Sequence, residues 1–178
     1  GYYKRQHRWV RGDFQLLPWL IGRERKRLKF ADKWKISDNL RRWMLPSAVL
    51  FALFYFIAVR QPWLAIAAVL LYLPVMPRKM RLFSLVYLPL ETYINLSAAI
   101  TALWRQFVSR QRLLEWTTAA QIEAGSQNGR WKLFLPEYVC TAGMLFLSVF
   151  AGAPGGYLAL ASALVWLMSG VYAAQLAK

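Results

Sequence analysis

Four largely apolar runs constrain the fold of this chain more than any other feature of its sequence. They cover residues 43–59, 63–76, 133–152 and 157–174, and Glu137 is the one charged residue within them. An α-helix rises about 1.5 Å per residue, so the first run reaches roughly 25 Å, close to the ~30 Å hydrocarbon core of a bilayer. The sequence therefore predicts an all-α membrane protein with about four transmembrane helices and with amphipathic helices at the cytoplasmic interface.

The charge of the chain indicates its partners. Hydrophobic residues make up 58% of the sequence, yet the net charge is +15. Because the basic residues alternate with apolar runs, this charge suits lipid headgroups and a diphosphate better than a DNA duplex. One cysteine, Cys140, and one histidine, His7, cannot build a disulfide framework or a zinc site. We therefore expect a lipid bilayer, and no nucleic acid, as a partner.

The positions of the basic residues also predict the topology. Residues 1–42 are strongly basic, which by the positive-inside rule places them in the cytoplasm. The stretch 82–104 has the hydropathy of a span but is interrupted by polar residues, among them Glu91, Tyr93, Asn95 and Ser97. If it crossed the membrane, the arginines that follow it would lie outside the cell. The sequence therefore predicts that residues 82–123 lie along the cytoplasmic face, with both chain ends cytoplasmic.

Local signals predict where several helices begin and end. A helix over residues 7–21 is expected to be broken or bent near Pro18, and a separate short helix is expected from about Lys35. Another helix is expected to start near Pro89. Residues 124–129 predict a polar loop.

Isolated acids have two interpretations each. Glu91 can mark a translocation path within a membrane, but its position just after a proline favours stabilisation of a helix N-terminus. Glu137, next to Pro136, suits the first turn of a helix for the same reason. Asp13, Asp32 and Asp38 stand among basic residues, and ion pairing is the interpretation that we favour for them.

The stretch 5–13 carries the residues with the clearest chemical potential. Arg5, Arg8 and Arg11 can hold a phosphate or a diphosphate, because guanidinium groups match phosphate oxygens bidentately and stay charged. Trp9 offers a flat apolar face on which a sugar ring can stack. On composition alone, the interpretation that we favour for the same residues is a basic juxtamembrane helix with an interfacial tryptophan.

Longer stretches resemble a known family. Arg5-Gln6-His7-Arg8-Trp9 fits the [Q/R]-x-x-R-W pattern of membrane-bound, processive family-2-like glycosyltransferases, such as cellulose and hyaluronan synthases. Three stretches look like cyclic β-1,2-glucan synthases, in the same order along the chain. They are RQHRWVRGDFQLLPWL at 5–20, KWKISDNLRR at 33–42 and FVSRQRLLEWTTAAQ at 107–121.

This resemblance implies a glucosyltransferase that polymerises glucose from UDP-glucose into a β-1,2-linked chain and closes that chain into a ring. It implies that Arg8 contacts the donor diphosphate and that Trp9 lines the acceptor site for the growing glucan. Arg5 takes the first motif position, where the related cellulose synthases more often have Gln. Gln6, Arg11 and Asp13 fall within the same resemblance without an assigned role and complete the predicted substrate-binding set.

The resemblance also implies a larger assembly. Residues 1–42 then form the C-terminal end of a cytoplasmic transferase domain, and residues 43–178 form the transmembrane region. The general base and the ligands of the expected divalent metal, magnesium or manganese, are expected upstream of Gly1, and a phosphorylase-like domain is expected downstream. We therefore expect a fragment that is inactive alone, in the inner membrane of a bacterium.

Two alternatives stay open at this point. One is another processive polysaccharide synthase of the cellulose synthase type, whose product differs in linkage. The other is a non-catalytic protein, either a basic membrane anchor or a transporter subunit, that binds anionic lipid through its basic segments.

Overall fold

A computed structural model describes residues 2–22, 26–76, 81–111 and 134–176. The described residues form helices and no strand, which confirms the predicted all-α fold class. The helices are α1 (Tyr2–Phe14), α2 (Leu17–Ile21), α3 (Phe30–Ala58), α4 (Pro62–Tyr72), α5 (Arg81–Val86), α6 (Leu88–Trp104), α7 (Leu135–Phe150) and α8 (Gly155–Leu176). The predicted loop at 124–129 and most of the motif at 107–121 lie outside the described residues.

The helix predicted over residues 7–21 is broken just before Pro18. Helix α1 ends at Phe14, and Pro18 lies in the first turn of α2. A proline is tolerated at that position because the first backbone N–H groups of a helix have no partner within it. Pro18 therefore lies at the start of a new short helix, which confirms the predicted break near this residue.

Helix α3 corrects a second boundary. The sequence predicted a short helix from about Lys35 and a separate span from residue 43, whereas one helix of 29 residues covers both. Pro46 lies inside this helix. The φ angle of proline suits a helix, and its missing N–H removes one backbone bond. Buried Val49, Leu50 and Leu53 follow it, and their packing stabilises the continuous helix.

Asp38 forms the ion pairs that its basic surroundings predicted. Its carboxylate accepts hydrogen bonds from Arg41, at 2.7 Å, and from Arg42. These partners lie three and four residues further along α3, the spacing at which side chains meet on a helix surface. Both arginines are exposed, so the pairs contribute little to stability.

The chain divides into two compact units. The first contains residues 1–44 and 94–127, and the second contains residues 45–93 and 128–178. The core of the first unit is small and consists of Val10, Phe14, Ala98, Ala99 and Ala102.

The second unit has the larger core. Its buried apolar residues come from α3, α4, α6, α7 and α8 and include Leu53, Ile57, Tyr72, Leu88, Met144 and Trp166. Helices α7 and α8 pack against each other along their lengths. Gly143 permits a close approach of α7 to α3, because an added Cβ would lie 2.9 Å from the Phe54 ring. The turn before α8 has Gly152 at a positive φ of 66°, a conformation that glycine adopts without strain.

The helices of the structure agree in part with the four predicted membrane spans. Among the described residues, α3 is the one helix both long and apolar enough to cross a bilayer. Shorter apolar helices cover Pro62–Val75, Leu135–Phe150 and Gly155–Val171, close to the other three predicted spans. Four transmembrane helices therefore remain a prediction.

Helix α6 begins at Leu88, close to the predicted start at Pro89. Glu91 lies in its first turn, and Glu137 lies in the first turn of α7, as their positions in the sequence predicted. After Trp104 the helix widens into one π turn over Arg105–Ser109 and ends at Arg110, whose φ is 51°.

Candidate functional site

The predicted substrate-binding residues all lie on α1, but the helix points them in different directions. Gln6, Val10 and Phe14 are spaced by four residues and are 4%, 0% and 7% exposed. This spacing places them on one face of the helix. In the core of the first unit, Val10 and Phe14 pack with three alanines of α6, Ala98, Ala99 and Ala102. The small alanine side chains allow α1 and α6 to approach closely.

A circuit of hydrogen bonds links α1, α6 and α3 within the first unit. Gln6 Nε2 donates to Asn95 Oδ1 at 3.0 Å, and Asn95 Nδ2 donates to the Trp43 carbonyl at 2.8 Å. Trp43 Nε1 then donates to Asp13 Oδ2 at 2.6 Å, which returns the circuit to α1. We call these four residues the anchoring circuit. Hydrogen bonds to a carboxylate are short and strong, and a partly buried network of this kind fixes the helices that it joins.

A further contact holds the end of α1. Gln106 Nε2, in the π turn that follows α6, donates to the Gln15 carbonyl at 2.9 Å. That carbonyl comes directly after α1, where backbone acceptors have no partner within the helix. Both ends of the buried face of α1 are therefore bonded to residues 95–106.

The opposite face of α1 is open to solvent. Arg5 and Gly12 are exposed, and the Trp9 side chain is 54% exposed. Arg8 and Arg11 are half-buried, and each has interaction partners in the protein. Arg8 and Trp9 each lie about one turn from Arg5, on the side of α1 away from Val10, and Trp9 also lies one turn before Asp13. We call Arg5, Arg8 and Trp9 the outer face.

This division separates the predicted residues by role. Gln6 and Asp13 use their side chains for bonds inside the protein, whereas the outer face presents two guanidinium groups and one indole. The contacts of all six residues with a substrate remain a prediction. For Asp13, the structure gives an indole N–H as a hydrogen-bond donor, where the sequence had suggested an ion pair.

His7 lies beside the buried face of α1 and is itself half-buried. Burial lowers the pKa of His7 below its ordinary value of 6.5, and the positive charges of Arg11 and Arg105 lower it further. Both causes disfavour the imidazolium form. The imidazole is therefore neutral near pH 7.

We expect this neutral His7 to make the first unit sensitive to acid. The unfolded chain takes up the His7 proton near pH 6.5, and the folded chain takes it up only at lower pH, because its pKa is lowered. The contribution of neutral His7 to the stability of the folded state is therefore complete above pH 6.5, and it is lost as the pH falls below that value. When the pH is lowered from 7.5 to 5.5, the melting temperature of the unmodified protein should therefore fall further than that of His7→Gln. An equal fall in both proteins contradicts this account.

Asn95 is the site residue that the sequence did not identify. It was read as one of several polar interruptions in an apolar stretch, yet it is 1% exposed and bonds to two partners. The available signal was a lone amide close to the small residues Ala98, Ala99 and Ala102. A buried amide beside small residues indicates a close helix contact with a polar partner on the facing helix.

Comparison with known proteins supports the resemblance. The chain is similar to the cyclic beta-(1,2)-glucan synthase NdvB of Rhizobium meliloti (strain 1021), with 27% identity over an alignment of 202 residues. The alignment covers 93% of this chain and 7% of NdvB, so the chain spans a small part of the length of this relative. The predicted resemblance to cyclic β-1,2-glucan synthases is confirmed. No protein-family profile matches the chain.

Proposed function

We propose that this chain is part of a membrane-bound glucosyltransferase that polymerises glucose from UDP-glucose into cyclic β-1,2-glucan. The observation that carries the proposal is the similarity to a cyclic beta-(1,2)-glucan synthase, which extends over 93% of the chain. Because the chain matches 7% of that relative, its partners include the rest of one longer polypeptide. These partners are an upstream transferase domain and a downstream phosphorylase-like domain.

The outer face of α1 is the part of the described chain that meets the substrates. Arg8 binds the diphosphate of UDP-glucose and stabilises the negative charge that grows on it as the glycosyl bond breaks. Trp9, with 54% of its side chain exposed, stacks against a glucose ring of the acceptor glucan. Arg5 lies one turn before Trp9 and adds positive charge to the same face.

The anchoring circuit supports this role because it fixes α1 through residues other than Arg5, Arg8 and Trp9. Gln6 and Asp13 are bonded to Asn95 and Trp43, so α1 is fixed through its back. A binding group is most effective when it is held in place before the ligand arrives. In this proposal Gln6 and Asp13 position the site, and Arg8 and Trp9 contact the substrates.

The proposal assigns the remaining chemistry to other parts of the polypeptide. In the described ranges, no three His, Cys, Asp or Glu side chains come together as a metal site. The proposal places the general base and the ligands of a divalent metal in the transferase domain, as the resemblance implies. When bound there, the metal supplies positive charge to the leaving diphosphate.

The membrane arrangement is part of the same proposal. Residues 43–59, 63–76, 133–152 and 157–174 cross the inner membrane of a bacterium, and both chain ends are cytoplasmic. Its support is the apolar length of α3, together with three shorter apolar helices near the other predicted spans. Glucose transfer then takes place on the cytoplasmic face, where UDP-glucose is available.

Product analysis tests the proposal. Full-length protein in membranes is incubated with radiolabelled UDP-glucose, and the product is examined by mass spectrometry and linkage analysis. We expect rings of β-1,2-linked glucose. A linear β-1,4 polymer indicates a synthase of the cellulose type, and full insertion without any product indicates a membrane anchor or transporter subunit. Either result overturns the proposal.

A further inference from the structure

The second unit contains a buried polar cluster whose members come from four different helices. Tyr72 ends α4, Ser84 lies in α5, Glu91 lies in α6 and Glu137 lies in α7. Their exposed fractions are 1%, 3%, 7% and 0%, respectively. Two carboxyl groups and two hydroxyl groups are thus enclosed in this unit, whose core consists mainly of apolar side chains.

The four side chains converge on Glu91. Ser84 Oγ donates to Glu91 Oε1 at 3.5 Å. The Tyr72 hydroxyl lies beside Ser84 and within electrostatic range of Glu91. Glu137 is also within electrostatic range of Glu91, and the backbone amide of Leu90 lies near its carboxylate. The Ser84–Glu91 hydrogen bond and these interactions indicate that the four side chains lie near one another in the second unit.

Three of these oxygens lack a hydrogen bond. Neither Glu137 oxygen has a hydrogen-bond partner, and the Tyr72 hydroxyl has none either. Within the described ranges, no ion pair joins either carboxylate to a Lys or Arg. A buried polar atom without a partner is costly, and a buried charge without one is more costly still. Groups left in this state commonly belong to a site that holds an ion or water.

We propose that Glu91 and Glu137, with the hydroxyl groups of Tyr72 and Ser84, bind a hard divalent cation such as Ca²⁺ or Mg²⁺. The donor set consists of oxygen atoms alone, which is what these cations prefer. A divalent ion balances the charge of both carboxylates and so removes the penalty of burying them. The site connects α4, α5, α6 and α7, so the bound ion also stabilises their packing. It is independent of glucose transfer and of the metal in the transferase domain.

Calcium binding tests the site directly. Full-length protein in lipid nanodiscs is stripped with EDTA, and bound ions per chain are counted by equilibrium dialysis against ⁴⁵Ca²⁺. We expect Glu137→Gln and Glu91→Gln each to bind one ion fewer than the unmodified protein. Excess Mg²⁺ should displace that ion. Saturating Ca²⁺ should raise the melting temperature by about 5–10 °C in the unmodified protein, and less in either variant.

Two further variants keep the test decisive. Asp38→Asn removes an acid that is already paired with arginines, and it should leave the number of bound ions unchanged. Tyr72→Phe removes one neutral oxygen ligand without changing the charge, and it should weaken calcium binding several-fold. This variant still tests the site if the glutamine variants do not fold. Circular dichroism and gel filtration identify the folded variants. The site is overturned if the unmodified protein and all folded variants bind the same number of calcium ions with the same affinity. That result is expected if the two carboxyl groups instead share a proton.

Discussion

Replacing Arg8 by alanine in the full-length enzyme is expected to reduce incorporation of glucose from UDP-glucose by about 10²–10³-fold, the usual effect of removing one donor that stabilises developing negative charge. Arg8→Lys should recover part of the rate, because an ammonium group keeps the charge but loses the bidentate geometry. Arg8 is half-buried and belongs to the outer face, not to the buried face of α1 that carries Gln6 and Val10. The loss should therefore occur without unfolding.

Trp9 should behave differently from Arg8 within the same experiment. With 54% of its side chain exposed, Trp9 contributes little to the core of the first unit. Trp9→Ala should lower the rate by about 10–100-fold through loss of a stacked sugar, and Trp9→Phe should retain most of it. The length of the product should also fall in Trp9→Ala, because this residue contacts the acceptor and not the donor.

The controls separate a specific role from a loss of positive charge. Lys29→Ala removes an exposed cation of the first unit that is outside the motif, and it should leave synthesis near its original rate. Membrane insertion of every variant is checked by alkaline extraction. If Arg8→Ala and Trp9→Ala both polymerise glucose as fast as Lys29→Ala, the outer face has no part in substrate binding.

The sequence predicted the helical fold because its apolar runs are long and almost free of charge. The starts of α4, α6, α7 and α8 fell close to their predicted positions, since prolines or a glycine-rich turn mark each of them. The boundary within α3 was wrong. The change from basic to apolar residues near position 43 suggested two helices, but such a change in polarity does not interrupt backbone hydrogen bonding.

The candidate site was predictable only as a set of residue types. The motif located Arg5, Arg8 and Trp9 together, but helical spacing does not separate them from Gln6 and Asp13, because Trp9 lies three residues after Gln6 and four residues before Asp13. What the sequence lacked was the partner of each buried group. Gln6 and Asn95 are 89 residues apart in the chain and Trp43 and Asp13 are 30 apart, so local periodicity carries no information about these bonds.

Asn95 gives the second large effect that we expect. Asn95→Leu keeps a side chain of similar size but removes the acceptor for Gln6 Nε2 and the donor to the Trp43 carbonyl. Leaving a buried amide without its partner costs about 1–3 kcal/mol. For a chain of this size, that cost corresponds to a fall of about 2–12 °C in melting temperature. Asn39→Leu, an exposed asparagine of the same unit, should change it little.

A swap of the two amides distinguishes positioning from general stability. Gln6→Asn and Asn95→Gln each change the length of one side chain, so each alone should strain or break the 3.0 Å bond between them. The double variant Gln6→Asn with Asn95→Gln restores the combined length of the pair. It should recover melting temperature and glucose transfer together, with an interaction energy of about 0.5–3 kcal/mol in the double-mutant cycle.

Kinetics of the same variants test whether Asn95 acts through α1. Loss of the anchoring circuit lets α1 shift, and Arg8 and Trp9 shift with it. Asn95→Leu should therefore raise the KM for UDP-glucose and lower kcat at a temperature where the protein is fully folded, whereas a loss of stability alone lowers only the amount of active enzyme. Asn95 is only a packing residue if the kinetic constants per folded molecule are unchanged in Asn95→Leu and if the two substitutions of the swap have additive effects on melting temperature.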